Sequence, residues 1–124
     1  MKTAILLSGC GVYDGSEVHE SVFSLLALSK QNIPFFCVAP NIDHYHVINH
    51  LSGKELFDKR NVLEESSRIS RGKTTSLEDL DFNSVSSLVI PGGFGVAKNL
   101  SSWAFKGSKS GVLPLVKDLI LHCI

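Results

Sequence analysis

The stretch SLVIPGGFG, from Ser87 to Gly95, decides the fold class of this chain. Ser87–Ile90 has the pattern of a short apolar strand, Pro91-Gly92-Gly93 forms a turn, and helix-compatible sequence follows it. Two consecutive glycines leave their backbone N–H groups uncovered by side chains and free to adopt positive φ. A turn of this kind, with a helix start behind it, can hold an anion through its amides. The alternative is a tight connection between strand and helix that binds no ligand.

Two further segments predict how this strand is paired. Thr3–Leu7 is a continuous apolar run, which is typical of a strand buried on both faces of a parallel sheet. A helix is predicted from Glu17 to about Lys30, with Ser16 as its N-cap, and Pro34–Val38 reads as the second strand. The residues at helical spacing that predict its apolar face are Val18, Val22, Leu25, Leu26 and Ser29. A strand-helix-strand unit of this kind implies parallel pairing, so the expected fold class is α/β.

The rest of the chain is less clearly patterned. Tyr45–Ile48 fits a short strand or the start of a helix, and Asn61–Arg68 fits a helix or a strand followed by a loop. Leu77–Leu80 is a short helix or a turn, and Ala97–Phe105 is expected to be partly helical. Val112–Leu121 has helical periodicity, and Pro114 is tolerated there because it falls in the first turn.

Composition predicts one packed globular domain and excludes several classes of function. The chain has 124 residues, of which 44% are hydrophobic, so a disordered chain is not expected. Lys and Arg together number 12, as do Asp and Glu, and the net charge is therefore zero. Without a basic stripe we expect no nucleic-acid partner, and without net repulsion self-association is favoured. No apolar run reaches the length of a membrane span.

The cysteines favour a reducing compartment. Cys10, Cys37 and Cys123 are widely spaced, and no pair has the spacing of a zinc site or of a thioredoxin-like motif. Gly9 and Gly11 interrupt the N-terminal apolar run before it reaches signal-peptide length. We therefore expect a soluble, cytoplasmic protein in which the thiols are inert by default.

The candidate site lies where two strands end. The loops after Leu7 and after Ile90 both follow parallel strands, and ligands bind at the carboxyl edge of such sheets. This places one set of residues on a common rim: Cys10, Gly11, Glu17, Glu20, Gly92 and Gly93. A carboxylate such as Glu20 could be a general acid or base, or could orient a thiol. The simpler alternative is a solvated residue on a helix surface.

Two other readings of these motifs are disfavoured. The first loop lacks the G-x-G-x-x-G spacing of a dinucleotide site, since Asp14 stands at the third glycine position. His44, His46 and His50 form a small cluster, but no well-placed carboxylate completes a ligand set. We predict no metal, and the role of the three histidines stays open.

Long matches in order along the chain resemble the ElbB-type (enhancing lycopene biosynthesis) branch of the ThiJ/PfpI, or class I glutamine-amidotransferase-like, superfamily. The matching segments are Ser8–Glu20, Val47–Gly53, Arg60–Glu64, Arg68–Gly72 and Ile90–Leu100. The resemblance implies a flavodoxin-like three-layer sandwich with a parallel sheet. It also implies that residues 1–124 form the N-terminal part of one such domain.

The resemblance further implies chemistry on a small reactive carbonyl, namely the hydration of glyoxal to glycolate, without a metal or an organic cofactor. In the family pattern a cysteine on a nucleophile elbow attacks the carbonyl carbon. A glutamate matching Glu20 supports that thiol, and a glycine pair matching Gly92 and Gly93 offers backbone donors to the oxyanion. The elbow is expected after the helix that begins near Val112, so the nucleophile is not among these residues and Cys123 does not replace it.

The expected function is therefore that of an ElbB-type family member without catalytic activity of its own. The alternative is a non-catalytic binding or regulatory module in isoprenoid biosynthesis or stress response. In either case we expect a homo-oligomer, or a partner that covers the open edge of the sheet.

Overall fold

The computed structural model describes residues 1–124, and its strands and helices alternate along most of the chain. The strands are β1 (Lys2–Leu6), β2 (Phe35–Ala39), β3 (Ile48–Asn49), β4 (Lys54–Glu55), β5 (Thr74–Ser76) and β6 (Val85–Val89). The α-helices are α1 (Val18–Lys30), α2 (Val62–Ser70), α3 (Gly95–Lys98), α4 (Trp103–Lys106) and α5 (Pro114–His122). Short 3₁₀ helices cover Leu77–Asp79, Phe82–Ser84 and Gly107–Lys109. No helix is long and apolar enough to cross a membrane.

The main sheet is parallel and has the strand order β5-β2-β1-β6. β1 lies inside the sheet, where Ile5 stands opposite Cys37 on one side and Val89 on the other. β3 and β4 form a separate antiparallel hairpin. Because β1 is hydrogen-bonded along both edges and covered on both faces, its unbroken apolar run is the pattern that such a strand requires. The predicted α/β fold with a parallel sheet is confirmed.

Alternate residues of β1 feed two hydrophobic cores, one on each face of the sheet. Ala4 and Leu6 belong to the core beneath α5, together with Val38, Leu77, Val85, Leu100, Val116 and Leu119. Ile5 and Leu7 belong to the core beneath α1 and α2, together with Cys37, Ala39 and Val62. The three layers are therefore α1 and α2, the sheet, and α5 on the opposite face.

The segments that the sequence left open now have definite structures. Residues 61–68 begin a helix, α2, whose N-cap Asn61 accepts a hydrogen bond from the Glu64 N–H. Residues 45–48 lead into the short strand β3.

β5 was not predicted, because its Thr-Thr-Ser sequence has no apolar run; it is an edge strand that pairs on one side only. Pro114 is the first residue of α5, as the periodicity required.

The predicted apolar face of α1 is wrong in part. Ser21 is the buried residue of the helix, and Leu25 and Leu28 pack into the core beneath it. Val18, Val22 and Leu26, which we call the α1 stripe, are 36%, 44% and 48% exposed. The small side chain of Ser21 lets the helix approach the sheet, and its Oγ donates to the Glu17 carbonyl (2.7 Å). The helix is consequently turned away from the face that hydrophobic spacing alone selects.

The loop after β1 and the turn after β6 pack together without room for side chains. We call residues 8–17 the first loop and residues 91–95 the glycine turn. A Cβ atom on Gly95 would meet Ser8 Oγ and lie 2.6 Å from Gly15 Cα. A Cβ atom on Gly15 would lie 2.5 Å from the Cys10 amide nitrogen and 2.7 Å from the Gly9 carbonyl carbon. The contact between β1 and β6 therefore extends past the strand ends into these two segments.

We predict that Gly95→Ala lowers the free energy of unfolding by about 3 kcal/mol, because the added methyl group displaces backbone rather than a flexible side chain. Gly111→Ala is the matched control, since nothing lies within 4 Å of a Cβ atom there. Its effect should stay within about 0.5 kcal/mol. Urea denaturation of both variants gives the comparison, and equal stabilities would contradict the close packing described here.

Candidate functional site

Backbone hydrogen bonds join the first loop to the glycine turn in both directions. The Glu17 N–H donates to the Gly92 carbonyl (2.8 Å), and the Phe94 N–H donates to the Val12 carbonyl (2.8 Å). The Gly95 N–H donates to the Gly15 carbonyl (2.9 Å). The amides of Phe94 and Gly95, which follow the two glycines expected to donate to a ligand, are thus used to hold the two segments together.

Asn99 is the side chain that ties the loop to the turn and to the segment before β3. Its Nδ2 donates to the carbonyls of Ser8 (2.8 Å) and Asp14 (2.9 Å), and its Oδ1 accepts from the Tyr45 N–H (2.9 Å). The residue is 5% exposed, so these bonds replace water almost completely. Sequence reasoning missed this role, and the only available signal was an amide residue a few positions after the glycine pair.

Glu20 and Gly92 meet at the carboxyl edge of the sheet. The Gly92 N–H donates to Glu20 Oε2 (2.7 Å), a contact between residues 72 positions apart. A Cβ atom on Gly92 would collide with the same carboxylate, so a side chain at this position would displace the Glu20 carboxylate. The second oxygen, Glu20 Oε1, has no hydrogen-bond partner, and the residue is exposed at the rim. The structure therefore brings together two of the predicted site residues and leaves one carboxylate oxygen open.

Gly93 offers a free amide beside this carboxylate. It adopts a φ of +110°, and a Cβ atom there would lie 2.5 Å from the Glu17 amide nitrogen. Its N–H makes no hydrogen bond, whereas those of Gly92, Phe94 and Gly95 all do. Of the two backbone donors expected in the glycine turn, Gly92 and Gly93, the Gly93 N–H is the one without a hydrogen-bond partner.

Glu17 caps α1 instead of lining an open pocket. Its Oε2 accepts from the Glu20 N–H (2.7 Å), while its Oε1 lies 3.0 Å from His19 Nδ1. The backbone N–H of Glu20 and the His19 side chain hold the pKa of the Glu17 carboxyl below its usual range. Glu17 is thus the N-cap, and the prediction that Ser16 caps this helix is wrong: Ser16 is buried and accepts the Ser8 N–H through its Oγ.

Cys10 lies half-buried in the first loop. Burial raises the pKa of its thiol, and the positive charge of Arg68 on α2 opposes that effect only in part. Burial likewise raises the pKa of Cys37 to about 11 and raises that of Cys123. Since the thiolate is the nucleophilic form, all three thiols are less reactive than a free cysteine.

The glycines of the first loop make room for two histidine rings. Gly11 has a φ of +146°, and a Cβ atom there would lie 2.6 Å from His50 Cε1. His50 Nε2 accepts from the Tyr13 N–H (3.2 Å), and Nδ1 lies 3.0 Å from the Ile48 carbonyl. The tautomer that satisfies both contacts carries a proton on Nδ1. Gly11 and His50 therefore shape the loop, a role that the spacing of the histidines did not reveal.

His44 stands against Gly9 in the same way. A Cβ atom on Gly9 would lie 2.7 Å from His44 Nε2, and neither ring nitrogen has a hydrogen-bond partner of good geometry. Burial lowers the pKa of His44, and the negative charges of Asp14 and Glu65 oppose this shift only in part. His46 lies apart, against the ring of Phe105. No three histidine, cysteine or acidic side chains come together in an arrangement that could hold a metal ion.

The fold of this chain is a parallel sheet flanked by helices, and the comparisons with known proteins support the class I glutamine-amidotransferase-like superfamily. No family model matches the chain. A crystal structure of an isoprenoid biosynthesis protein with an amidotransferase-like domain from Ehrlichia chaffeensis superposes with a TM-score of 0.91 at 38% identity. It covers 98% of this chain, which in turn covers 58% of that one.

Curated relatives give the same picture. A human glutamine amidotransferase-like class 1 domain-containing protein 3, mitochondrial, and a rat ES1 protein homolog, mitochondrial, are each 46% identical over 107 residues, or 86% of this chain. A zebrafish ES1 protein, mitochondrial, is 36% identical over 109 residues. The chain spans 40% of the length of each of these relatives.

The names of these three relatives contradict the cytoplasmic location expected from the sequence, because all three are described as mitochondrial. The expectation rested on reduced cysteines, and reduced thiols do not distinguish one compartment inside the cell from another. That prediction is wrong.

We predict that Asn99→Ala lowers the free energy of unfolding by about 3 kcal/mol, because three backbone groups, two of them buried, lose their partner. Asn99→Asp should cost at least as much, since a second acceptor oxygen would face the carbonyls of Ser8 and Asp14. Asn83→Ala is the control, because Asn83 is exposed and its side chain makes no hydrogen bond. Urea unfolding curves measure all three variants, and a wild-type midpoint for Asn99→Ala would contradict the role assigned to this side chain.

We predict that stability falls as the pH is lowered from 7 to 5, and that His44→Leu reduces this slope. The folded-state pKa of His44 lies below its ordinary value of 6.5, so the unfolded chain takes up the proton first and is favoured as the pH falls through that value. The carboxyls of Glu17 and Glu78, whose pKa values are also lowered, act below this window.

The measurement for His44 is the free energy of unfolding as a function of pH. Ile69→Val serves as the control, because it weakens the core beneath α1 and α2 without removing a titrating group. The control should shift the whole curve and keep its slope. An unchanged slope in His44→Leu would refute the assignment.

Proposed function

We propose that this chain supplies the supporting carboxylate and an oxyanion donor of a carbonyl-handling site in an ElbB-type protein. The observation that carries the proposal is the hydrogen bond from the Gly92 N–H to Glu20 Oε2 (2.7 Å). It fixes a carboxylate at the sheet edge beside the free Gly93 amide. A fixed backbone donor can stabilise the negative charge that develops on a carbonyl oxygen, and a fixed carboxylate near it can accept the proton of the attacking group.

The proposed reaction converts glyoxal and one water molecule into glycolic acid, with no oxidant or reductant. When a nucleophile bonds to one aldehyde carbon, the carbonyl electron pair moves onto oxygen, and the Gly93 N–H would donate to that oxygen. Glu20 Oε1, which has no partner, would accept the proton or the hydrogen bond of the attacking group. Binding and charge stabilisation are thus the tasks assigned to these residues.

The nucleophile is proposed to come from outside residues 1–124. Burial raises the pKa of all three thiols, and the hydrogen bonds of the Glu20 carboxylate include none of them. The curated relatives are longer proteins, of which this chain spans 40%, so they have room for such a residue. The chain by itself is accordingly proposed to bind the carbonyl compound without turning it over at an appreciable rate.

A non-catalytic binding module is the second candidate. The raised pKa values of the three thiols favour it, and the structural neighbour is described as an isoprenoid biosynthesis protein. In this case the rim would hold a metabolite in a regulatory role. By analogy with the relatives' names, either function is proposed to operate in mitochondria.

We predict that freshly added glyoxal shifts the Gly93 amide resonance in nitrogen-15 NMR spectra of the chain. Glu20→Gln should weaken the binding about tenfold, because a neutral amide oxygen replaces a charged acceptor. Glu64→Gln, on the exposed side of α2, is the matched control and should bind as the wild type does. If glyoxal leaves Gly93 unshifted, the carbonyl site is refuted.

Turnover is measured on the same samples by following glycolate in carbon-13 spectra. The expected rate is that of the buffer, and Cys10→Ser should leave it unchanged. Rapid glycolate formation that disappears in Cys10→Ser would show that the first-loop thiol is the nucleophile, and it would overturn the proposal that the nucleophile lies elsewhere.

A further inference from the structure

A cleft of about 540 Å³ opens between the first loop, the β3–β4 hairpin and helices α3 and α4. We call it the aromatic cleft, because the rings of Tyr13, Phe94 and Phe105 line it together with His46 and Ile48. Its volume lies within the roughly 300–1,000 Å³ that is usual for small-molecule sites. Neither Glu20 nor Gly92 nor Gly93 lines it, so it is separate from the rim described above.

The three rings present much of their surface to solvent. Tyr13, Phe94 and Phe105 are 43%, 52% and 41% exposed. Phe105 stacks on Tyr45 with ring centroids 3.9 Å apart, and Tyr13 stacks on His50 at 4.8 Å. Two of the three rings, Tyr13 and Phe105, are thus held in place from behind by another ring. Rings held in this way form a rigid apolar wall, whose hydration is unfavourable until a ligand covers it.

Lys98 is the cation of the cleft and has no carboxylate partner. Its Nζ donates to the Tyr13 carbonyl (2.8 Å) and lies 5.4 Å from the centroid of the Phe94 ring. It takes part in none of the salt bridges of the structure. An ammonium group has three N–H donors, and one of them is used here. The remaining two are available to an anion at the apolar wall.

From this combination we propose that the aromatic cleft binds an amphipathic organic anion. Its planar apolar body would lie against Tyr13, Phe94 and Phe105, and its carboxylate, sulfonate or phosphate group would accept from Lys98. The positive charge of Lys98 beside apolar surface favours an anionic ligand, and the flat faces of the rings favour a planar one. The ligand is a free small molecule, since the volume of the cleft is that of a small-molecule site.

The test compares two fluorescent probes that share a planar body. Anilinonaphthalene sulfonate carries one negative charge, and phenylnaphthylamine carries none. The wild-type chain should bind the anionic probe about tenfold more tightly, because a charge-assisted hydrogen bond adds about 1.4 kcal/mol. Lys98→Met should remove this difference. Lys117→Met, an exposed cation on α5, should preserve it.

A second variant separates the apolar contribution from the charge. Phe105→Ala should weaken the binding of both probes by the same factor, about fivefold, while the preference for the anion stays. Circular dichroism checks that each variant is folded. If Lys98→Met does not fold, the comparison of the two probes on the wild-type chain still decides the proposal.

The position of the bound probe is read from amide shifts in nitrogen-15 spectra. Shifts at Tyr13, Ile48 and Lys98 support the aromatic cleft. Shifts on the α1 stripe instead, equal affinities of the wild type for the two probes, or no binding of either would each overturn it. Since glyoxal is expected to move Gly93 and the probe to move Lys98, failure of one proposal is distinguishable from failure of the other.

Discussion

Close backbone packing between the first loop and the glycine turn is the constraint on which the rest of the structure depends. Gly93 and Gly95 stand where a single methyl group would strike main-chain atoms of the opposite segment, and at Gly15 it would strike main-chain atoms of the first loop itself. Because these residues lack side chains, the two segments approach closely enough for three backbone hydrogen bonds and for the Asn99 side chain to reach two carbonyls. The same approach brings the start of α1 beside the end of β6, so that Glu20 reaches the Gly92 N–H. The site geometry is a consequence of this packing.

The sequence predicted those elements of the fold whose burial leaves a visible pattern of apolar residues. β1, β2 and β6 are strands covered on at least one face, and their apolar character identified them. β5 lies at an edge and is polar, so no pattern marked it. The orientation of α1 was missed because Ser21, and not a large apolar residue, faces the sheet. Hydrophobic periodicity reports which residues prefer burial, whereas hydrogen bonds between distant segments, such as that of Glu20, also decide which face is buried.

The sequence predicted where the candidate site lies, but it did not predict the hydrogen bonds between the site residues. Parallel topology alone places Glu20, Gly92 and Gly93 at one edge of the sheet. The sequence could not show that the amides of Gly92, Phe94 and Gly95 are already paired, because their acceptors are a side chain and two carbonyls that come from other segments. The sequence likewise could not show that the ring of His44 lies against Gly9 and that of His50 against Gly11. Each of these contacts joins residues that only the folded chain brings together.

The structural roles of these residues limit what can be inferred about function from similarity to known proteins. Several of the residues that carry the resemblance make contacts inside the protein: Ser16 bonds Ser8, Asp14 bonds Ile48, and Asn99 bonds Ser8 and Asp14. A protein that preserves them preserves the fold, whatever reaction it performs. The chemical proposal therefore depends on the two groups that have no hydrogen-bond partner within the chain, Glu20 Oε1 and the Gly93 N–H. Lys98 differs from both, because one donated hydrogen bond serves the fold while its remaining donors face an apolar cleft. Groups with donors or acceptors left over after the fold is satisfied are where function has to be sought in this chain.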